Sequence, residues 1–441
     1  MSSYRLSFFG LGYVGLTMAA CFASKGFMVT GYDVDKGRIR ALKAGRTPMF
    51  EPGVEELIAK AGGLLRATDD PAEAVSGADF IFITTGTPSR SDGSIDTGYV
   101  ESAARTIGEM LKGSNRYAVI AVKSTVVPGT TAGPVREELE GGSGLAAGKG
   151  FGLVMNPEFL KEGHAVDDMF RPDRLVIGEV DRRSGDSLLS LYDEFYDGHL
   201  PPVLRTTTAN AELIKYANNS FLAIKIGFAN SMARLCQTIP GGDVDVVMKG
   251  IGMDSRIGSE FLRAGVAWGG SCFPKDLKAI RAFAAGRGVK LGLVDASLEA
   301  NDNGPLEMVA ACERAIGGLE GKAVAILGLS FKPDTDDTRE SPAIRMGLEF
   351  IRKGATVRAF DPAVKQAPSG FTIYGDPLDC IQGADLAVLA TEWKAIQEIS
   401  PAAFRERMRN AVVMDTRRAY DRSSFRAAGV RLLQLGRYEG C

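Results

Sequence analysis

Histidine is nearly absent: His164 and His199 are the only two in 441 residues. A histidine-built metal centre or a Ser-His-Asp triad is therefore disfavoured. No metal site is expected, and a general base must be a carboxylate, a lysine or a bound water. Cys21, Cys236, Cys272, Cys312, Cys380 and Cys441 include no C-x-x-C pair. That scatter argues against a zinc site or a disulfide framework and suits a reducing, cytoplasmic setting. No run of ~18 or more apolar residues occurs, so no membrane-spanning helix is expected. Charge of one sign is also lacking. A net charge of −2 argues against nonspecific nucleic-acid or membrane partners, while leaving room for a local basic pocket.

With 45% hydrophobic and 24% charged residues, the chain has the composition of an ordinary globular protein. Its length implies two or three domains. The apolar run 8–22 resembles a secretory core segment, but its glycines and a following second strand-like run mark it as part of the fold. Strand-like runs at 5–9, 27–32, 80–84, 118–122 and 152–155 alternate with helical stretches at 13–25, 54–61, 97–111 and 133–139. This pattern predicts a mostly parallel sheet covered on both faces. The stretch 141–150 reads as a loop. From 207 to 239 one long helix is predicted, with Ile214, Ala217, Phe221, Ile224, Phe228 and Leu235 forming an apolar stripe. The stripe fits a core spacer or a subunit interface. More helices follow to about 315.

A second α/β series begins near 322, with a strand ending at Asp361. Its first turn, Gly328-Leu-Ser-Phe-Lys332, lacks a three-glycine spacing, so no close repeat of the first domain is expected. The predicted class is α/β, with two doubly wound Rossmann-like domains joined by a long central helix and a helical middle. The boundaries fall at 1–205 (dinucleotide), 206–315 (helical) and 316–441 (second Rossmann-like domain).

Gly10-Leu-Gly12-Tyr13-Val14-Gly15 follows a predicted strand and opens a predicted helix. Gly10 permits the tight turn, Gly12 lets the backbone approach a pyrophosphate, and Gly15 allows close helix–strand packing. The helix N-terminus offers free N–H groups to phosphate. Asp33 ends the next strand, where a carboxylate accepts from ribose hydroxyls and repels a 2′-phosphate. NAD is favoured over NADP; the nearby Arg38 weakens that preference without reversing it.

Cys272 lies in the polar, glycine-rich run Trp268-Gly-Gly-Ser-Cys-Phe-Pro-Lys275-Asp276, unlike the other internal cysteines, which sit in apolar stretches. Glycines give it backbone access and Lys275 favours the thiolate, while Asp276 opposes it. Nucleophile and small structural residue both remain open for Cys272 on this context. Lys215 and Asn219 stand one turn apart on the long helix, an arrangement suited either to solvation or to a developing oxyanion. Met155-Asn-Pro-Glu158-Phe-Leu-Lys-Glu162-Gly163 follows a strand, where folds of this class bind ligands. Alone, its two glutamates read as dipole partners of a helix.

These runs, with Lys123-Ser-Thr125-Val-Val-Pro-Gly-Thr130, Glu212-Leu-Ile-Lys215-Tyr-Ala-Asn-Asn219 and Phe331-Lys332-Pro-Asp-Thr-Asp-Asp-Thr-Arg339, closely resemble the nucleotide-sugar 6-dehydrogenases of the UDP-glucose/GDP-mannose dehydrogenase family. They occur in family order across nearly the whole chain. The turn after Thr125 departs from the Val-Pro-Val-Gly-Thr form common there. The resemblance implies an NAD domain, a dimer-forming helical middle and a UDP-holding domain. It also implies a four-electron oxidation of UDP-glucose to UDP-glucuronate with two NAD. Cys272 would carry a thiohemiacetal and then a thioester, and Lys215 would stabilise oxyanions. Thr125, Asn219 and Asp276 would organise water and protons, and Glu158 would assist hydrolysis. Thr87, Thr125, Glu162, Lys275 and Arg339 would contact NAD. Substrate would be held by Glu158, Phe159, Leu160, Lys161, Lys215, Asn219, Gly269, Phe331, Lys332 and Arg417, with Arg256 reaching across the dimer. The alternatives are the same chemistry on GDP-mannose or a UDP-N-acetylhexosamine, a two-electron β-hydroxyacid dehydrogenase, and a catalytically dead NAD-binding protein.

Overall fold

The structure, a computed structural model, describes residue 2 and residues 4–439; Cys441 lies outside them. The chain divides into two compact units, residues 1–218 with 278–287, and residues 219–277 with 288–441.

The first unit carries eight strands: β1 (Arg5–Phe9), β2 (Met28–Tyr32), β3 (Leu65–Thr68), β4 (Phe80–Ile83), β5 (Val119–Val122), β6 (Gly152–Met155), β7 (Leu175–Glu179) and β8 (Val203–Thr206). Their order is β3-β2-β1-β4-β5-β6-β7-β8, with every neighbouring pair parallel except β6 and β7. The sequence explains this burial. In β1 and β4 alternate side chains enter opposite layers, with Phe8 stacked on Phe82 at 4.8 Å on one face. Phe9, Ile81 and Ile83 fill the other. Strands covered on both faces read as continuous apolar runs, as Phe80–Ile83 does. The apolar N-terminal run is β1 followed by helix α1 (Tyr13–Ser24), whose residues from Gly15 to Ala23 are buried.

The helix expected at 133–139 begins differently. Thr131–Val135 forms a π turn in which Gly133 leaves helical geometry (φ −104°, ψ −108°) and Pro134 lacks an N–H. Helix α2 (Arg136–Ser143) follows and takes in Gly141 and Gly142, while the rest of the stretch read as a loop, 144–150, is one. Gly142 serves packing. A Cβ on Gly142 would sit 2.8 Å from the nitrogen of Glu109, and one on Gly108 would sit 2.8 Å from the carbonyl of Leu139.

Helix α3 (Thr208–Cys236) matches the predicted long helix, and of the two readings left open for its stripe, core spacer or subunit interface, its exposure disfavours the first. Phe221, Phe228 and Leu235 are 64%, 48% and 51% exposed, whereas Glu212, Lys215, Asn219 and Asn230 are buried. The helix thus buries Ala211, Tyr216, Ala223, Ala229 and Ala233 together with these four polar groups, and leaves those three stripe residues exposed. Helices α4 (Phe273–Ala285) and α5 (Gly292–Ile316) follow.

The second unit holds a wholly parallel sheet of β9 (Ala323–Leu327), β10 (Thr356–Phe360), β11 (Phe371–Ile373), β12 (Leu386–Leu389), β13 (Val412–Asp415) and β14 (Arg431–Gln434). Its order, β11-β10-β9-β12-β13-β14, repeats the permutation of the first six strands. The missing glycine spacing therefore concealed a topological repeat. Leu11 N donates to Asp33 Oδ2 at 2.7 Å after β1, and Leu329 N donates to Asp361 Oδ2 at 2.7 Å after β9. Each aspartate ends its second strand and anchors its first turn.

Candidate functional site

The first unit offers a dinucleotide cradle in which the three glycines have distinct tasks. Gly10 adopts φ +104°, and a Cβ there would lie 2.9 Å from the backbone of Thr84 and Thr85. On Gly15 a Cβ would strike the carbonyl of Gly10 at 1.9 Å, so only glycine permits this helix–turn approach. On Gly12 a Cβ would meet nothing within 4 Å, leaving open space at the N-terminus of α1. This geometry fits a dinucleotide pyrophosphate. Asp33 is buried; its carboxylate also accepts from Asp35 N at 2.8 Å and faces Arg38 Nη1 at 3.3 Å. Arg38 is thus drawn toward this carboxylate. Val14 is half-buried beside the core of α1. Burial, followed by the carboxylates of Glu51, Glu162 and Glu158, pushes the Tyr13 hydroxyl far above its usual range.

The carboxyl ends of β4, β5 and β6 bring further candidates together. Thr87 is buried in the segment after β4, and Thr125 is half-buried after β5. Between them, Ser124 Oγ donates to the carbonyl of Thr85 at 2.7 Å. After β6 the chain is tied down at several points. Asn156 accepts from Tyr192 Oη at 2.6 Å. Glu158 Oε2 accepts from Leu160 N at 2.6 Å, and Glu51 accepts from Gly163 N and Ala165 N at 2.7 and 2.8 Å. Lys161 is exposed and pairs with Asp168.

Within this loop Glu158 Oε1 meets Lys215 Nζ at 2.9 Å, with both side chains buried. Burial raises the Glu158 carboxyl, but the charge and hydrogen bond of Lys215 outweigh it and hold it below the usual range. The ring of Phe159 lies 5.3 Å from Lys215 Nζ and 4.0 Å from the Arg174 guanidinium. A third charged group enters from β5. Lys123 is 6% exposed, near the Tyr192 ring, and is pushed down to about 7 by burial and by Lys215, with Glu158 opposing. Its motif was visible in the sequence, but nothing there revealed its burial. Glu212, also without a role at that level, accepts from Gly129 N and Thr131 N at 2.6 and 2.7 Å. It ties α3 to the loop after Thr125.

The second unit holds the thiol. Cys272 immediately precedes α4, and its carbonyl accepts from Asp276 N at 2.9 Å, closing the first helical turn. Proximity to a helix N-terminus favours thiolate over thiol. The thiol sulfur lies 3.5 Å from Ser271 Oγ. Asp276, 1% exposed, accepts from Asn219 Nδ2 at 2.6 Å and from Lys275 Nζ at 2.6 Å. The lysine expected to promote the thiolate thus lies against the aspartate expected to oppose it. Lys215 and Asn219 keep their one-turn spacing on α3.

The turn before Cys272 is fitted to the segment after β9. Gly270 N donates to the carbonyl of Arg339 at 2.9 Å. A Cβ on Gly269 would lie 2.5 Å from the carbonyl of Glu340, and one on Gly270 2.9 Å from the Phe331 ring. Lys332 Nζ sits 5.6 Å from that ring. Arg339 is largely exposed and pairs with Asp337. Arg417 is held by Glu392 through two bonds of 2.7 Å. Arg256 stands apart from these groups, 87% exposed and paired with Asp254. Among the described residues no His/Cys/Asp/Glu group could hold a metal ion, and no helix is long and apolar enough to cross a membrane.

Three family models match the chain. They are the NAD binding domain (residues 4–196), central domain (209–303) and UDP binding domain (325–422) of the UDP-glucose/GDP-mannose dehydrogenase family. A UDP-glucose 6-dehydrogenase of Haloferax volcanii is 42% identical over 95% of this chain and 97% of its own length. A GDP-mannose 6-dehydrogenase of Pseudomonas syringae pv. tomato is 40% identical over 82% of each. The solved structure of a UDP-glucose dehydrogenase from Pyrobaculum islandicum is 37% identical, with a TM-score of 0.90 covering 99% of this chain and 98% of that one.

Proposed function

Because the chain belongs to the UDP-glucose/GDP-mannose dehydrogenase family of NAD-dependent enzymes, we propose that it oxidises UDP-glucose to UDP-glucuronate through a covalent Cys272 intermediate. The observation that carries this reading is the seat of the thiol: a cysteine at a helix N-terminus, one turn from a buried aspartate held by Asn219. An enzyme that stops at the aldehyde has no use for such a thiol. One that proceeds to the acid must present a carbon bearing both a hydride and an oxygen, and a bound thiolate creates that carbon.

When bound, NAD supplies the hydride acceptor for each of the two oxidations. The glycine turn, Asp33, Thr87, Thr125, Glu162, Lys275 and Arg339 are the residues assigned to hold it. Asp276, with Asn219, receives the proton of the sugar C6 hydroxyl through water as the alcohol becomes an aldehyde. The Cys272 sulfur then bonds to C6, giving a thiohemiacetal, and the second hydride loss leaves a thioester. The Lys215 ammonium offsets the negative charge on the C6 oxygen. Glu158 orients the water that cleaves the C–S bond, releasing acid and restoring the thiol. Phe331, Lys332, Arg417 and Arg256 are assigned to the nucleotide and sugar.

UDP-glucose is preferred over GDP-mannose because the UDP-glucose relative aligns over 95% of the chain and the GDP-mannose relative over 82%. The exposed Phe221, Phe228 and Leu235 support a homodimer built on α3, and six scattered cysteines with no C-x-x-C pair suit the cytoplasm. The covalent step is tested by intact-mass measurement of Glu158→Gln mixed with NAD and UDP-glucose. The expected result is a glucuronyl-nucleotide adduct mapped to Cys272. Turnover at the unaltered rate with no adduct in this variant would overturn the assignment of Glu158. An unmodified Cys272 in both proteins during turnover would overturn the covalent course.

A further inference from the structure

The carboxyl ends of β12 and β13 carry a charge arrangement of which the proposed mechanism uses Arg417 alone. The two strands are parallel neighbours, with Leu389 beside Asp415. Thr391-Glu392-Trp393 follows the first strand and Thr416-Arg417-Arg418 follows the second. Adjacent arginines there have opposite fates. Arg418 adopts a left-handed φ of 55°, and its guanidinium is buried on Asp245 (2.8 Å) and the carbonyl of Ala264 (2.8 Å). Arg417 is half-buried and lies flat against Glu392, with Nε to Oε2 at 2.7 Å and Nη2 to Oε1 at 2.7 Å. A second guanidinium, Arg263 Nη1, reaches Glu392 Oε1 at 2.9 Å. Gly265 leaves room for this: a Cβ there would lie 2.5 Å from Arg417 Nη1.

A strand-end salt bridge needs one arginine. Here one carboxylate, itself 10% exposed, orients two guanidiniums that are 23% and 56% exposed, leaving a surplus positive charge. The bidentate bond occupies Nε and one N–H of Nη2 on Arg417, so both N–H groups of Nη1 remain for another acceptor. The cluster lies at the carboxyl edge of a doubly wound parallel sheet, where ligands bind beside the reversal in strand order. That reversal falls between β9 and β12.

We propose that Glu392 is a positioning residue for the diphosphate of the substrate, holding Arg417 and Arg263 as a single fork for that anion. The inference rests on the nucleotide-sugar reading and adds to it the group that fixes its phosphate contacts. Glu392 does not touch substrate. It sets the plane of Arg417 and keeps the two like charges together when no ligand is bound.

The test is calorimetric titration of UDP into the unaltered protein, Glu392→Gln and Glu392→Asp, with NAD titrated as a control of the folded first unit. Glu392→Gln is expected to weaken UDP binding about tenfold or more, the scale on which loss of one partner of a desolvated charge pair is felt. Glu392→Asp should recover part of that loss. In turnover, KM for the nucleotide sugar should rise more than kcat falls, with KM for NAD unmoved. UDP binding in Glu392→Gln equal to that of the unaltered protein would overturn the proposal. Failure of the unaltered protein to bind UDP would instead overturn the substrate reading beneath it.

Discussion

At the scale of single residues, the chemistry depends on groups that would be costly to bury without partners. Cys272 has a helix N-terminus, Asp276 has Asn219 and Lys275, and Glu158 has Lys215. On the proposed mechanism Cys272→Ala loses acid formation by roughly 10³-fold or more, the order typical of removing a covalent nucleophile. Quantifying the uronate product reads this directly, because the first NADH forms before the thiol acts. Lys123 gives a different expectation. Its ammonium is pushed down to about 7 in the folded protein by burial, while an exposed lysine titrates near 10.4. Between those values the unfolded chain binds the extra proton, so stability contributed at this position rises with pH. Thermal melts of the unaltered protein and Lys123→Met should therefore diverge from pH 7 to 10, with the unaltered protein gaining. Parallel curves would show that Lys123 is not held in this state. Cys272, Lys215, Asn219 and Asp276 were legible as candidates through the family resemblance of their motifs, whereas local context alone left them open. Lys123, Glu51, Glu212 and Glu392 were not, since their significance lies in burial and in partners distant along the chain.

The elements show how a polar pattern can be misread. On α3 the period of Phe221, Phe228 and Leu235 fits either a core or a subunit interface, and the structure leaves all three exposed. The inward face holds Glu212, Lys215 and Asn219, paid for by hydrogen bonds from other segments. Helical period reveals a stripe but not which stripe faces in. Glu212→Leu strips the buried N–H of Thr131 and the part-buried N–H of Gly129 of their acceptor, the buried one worth about 1–3 kcal/mol. A lowered melting temperature and a slower reaction are expected, and an unchanged melt would contradict the anchoring role. At the start of α1, Gly12 offers a cleaner case. A side chain there meets no protein atom, so Gly12→Val should fold normally while NAD affinity falls sharply and UDP affinity holds. Loss of both would mean that the turn itself had been disrupted. The strand and helix succession was readable for five of the eight strands of the first sheet, while Leu65–Thr68, Leu175–Glu179 and Val203–Thr206 were not picked out. The loop read at 141–150 begins three residues late, because Gly142, which would usually signal a turn, serves the close approach of two helices.

For the whole molecule, two sheets of the same strand permutation carry different equipment at their carboxyl edges, glycines and Asp33 in one, arginines and Asp361 in the other. The doubly wound class of both was legible from strand–helix alternation. The repeat was not, because topology survives where the glycine spacing does not. The apolar face of α3 belongs to this scale as well. Replacing Phe221 and Phe228 together with Ser should lower the mass measured by analytical ultracentrifugation toward that of one chain, whereas an unmoved mass would place the interface elsewhere. The central claim is that one chain carries an alcohol to an acid in two oxidations on one thiol. It is tested most directly by giving the protein excess NAD and limiting UDP-glucose and counting NADH at completion. The account predicts two NADH per sugar with UDP-glucuronate as product; one NADH per sugar would contradict it.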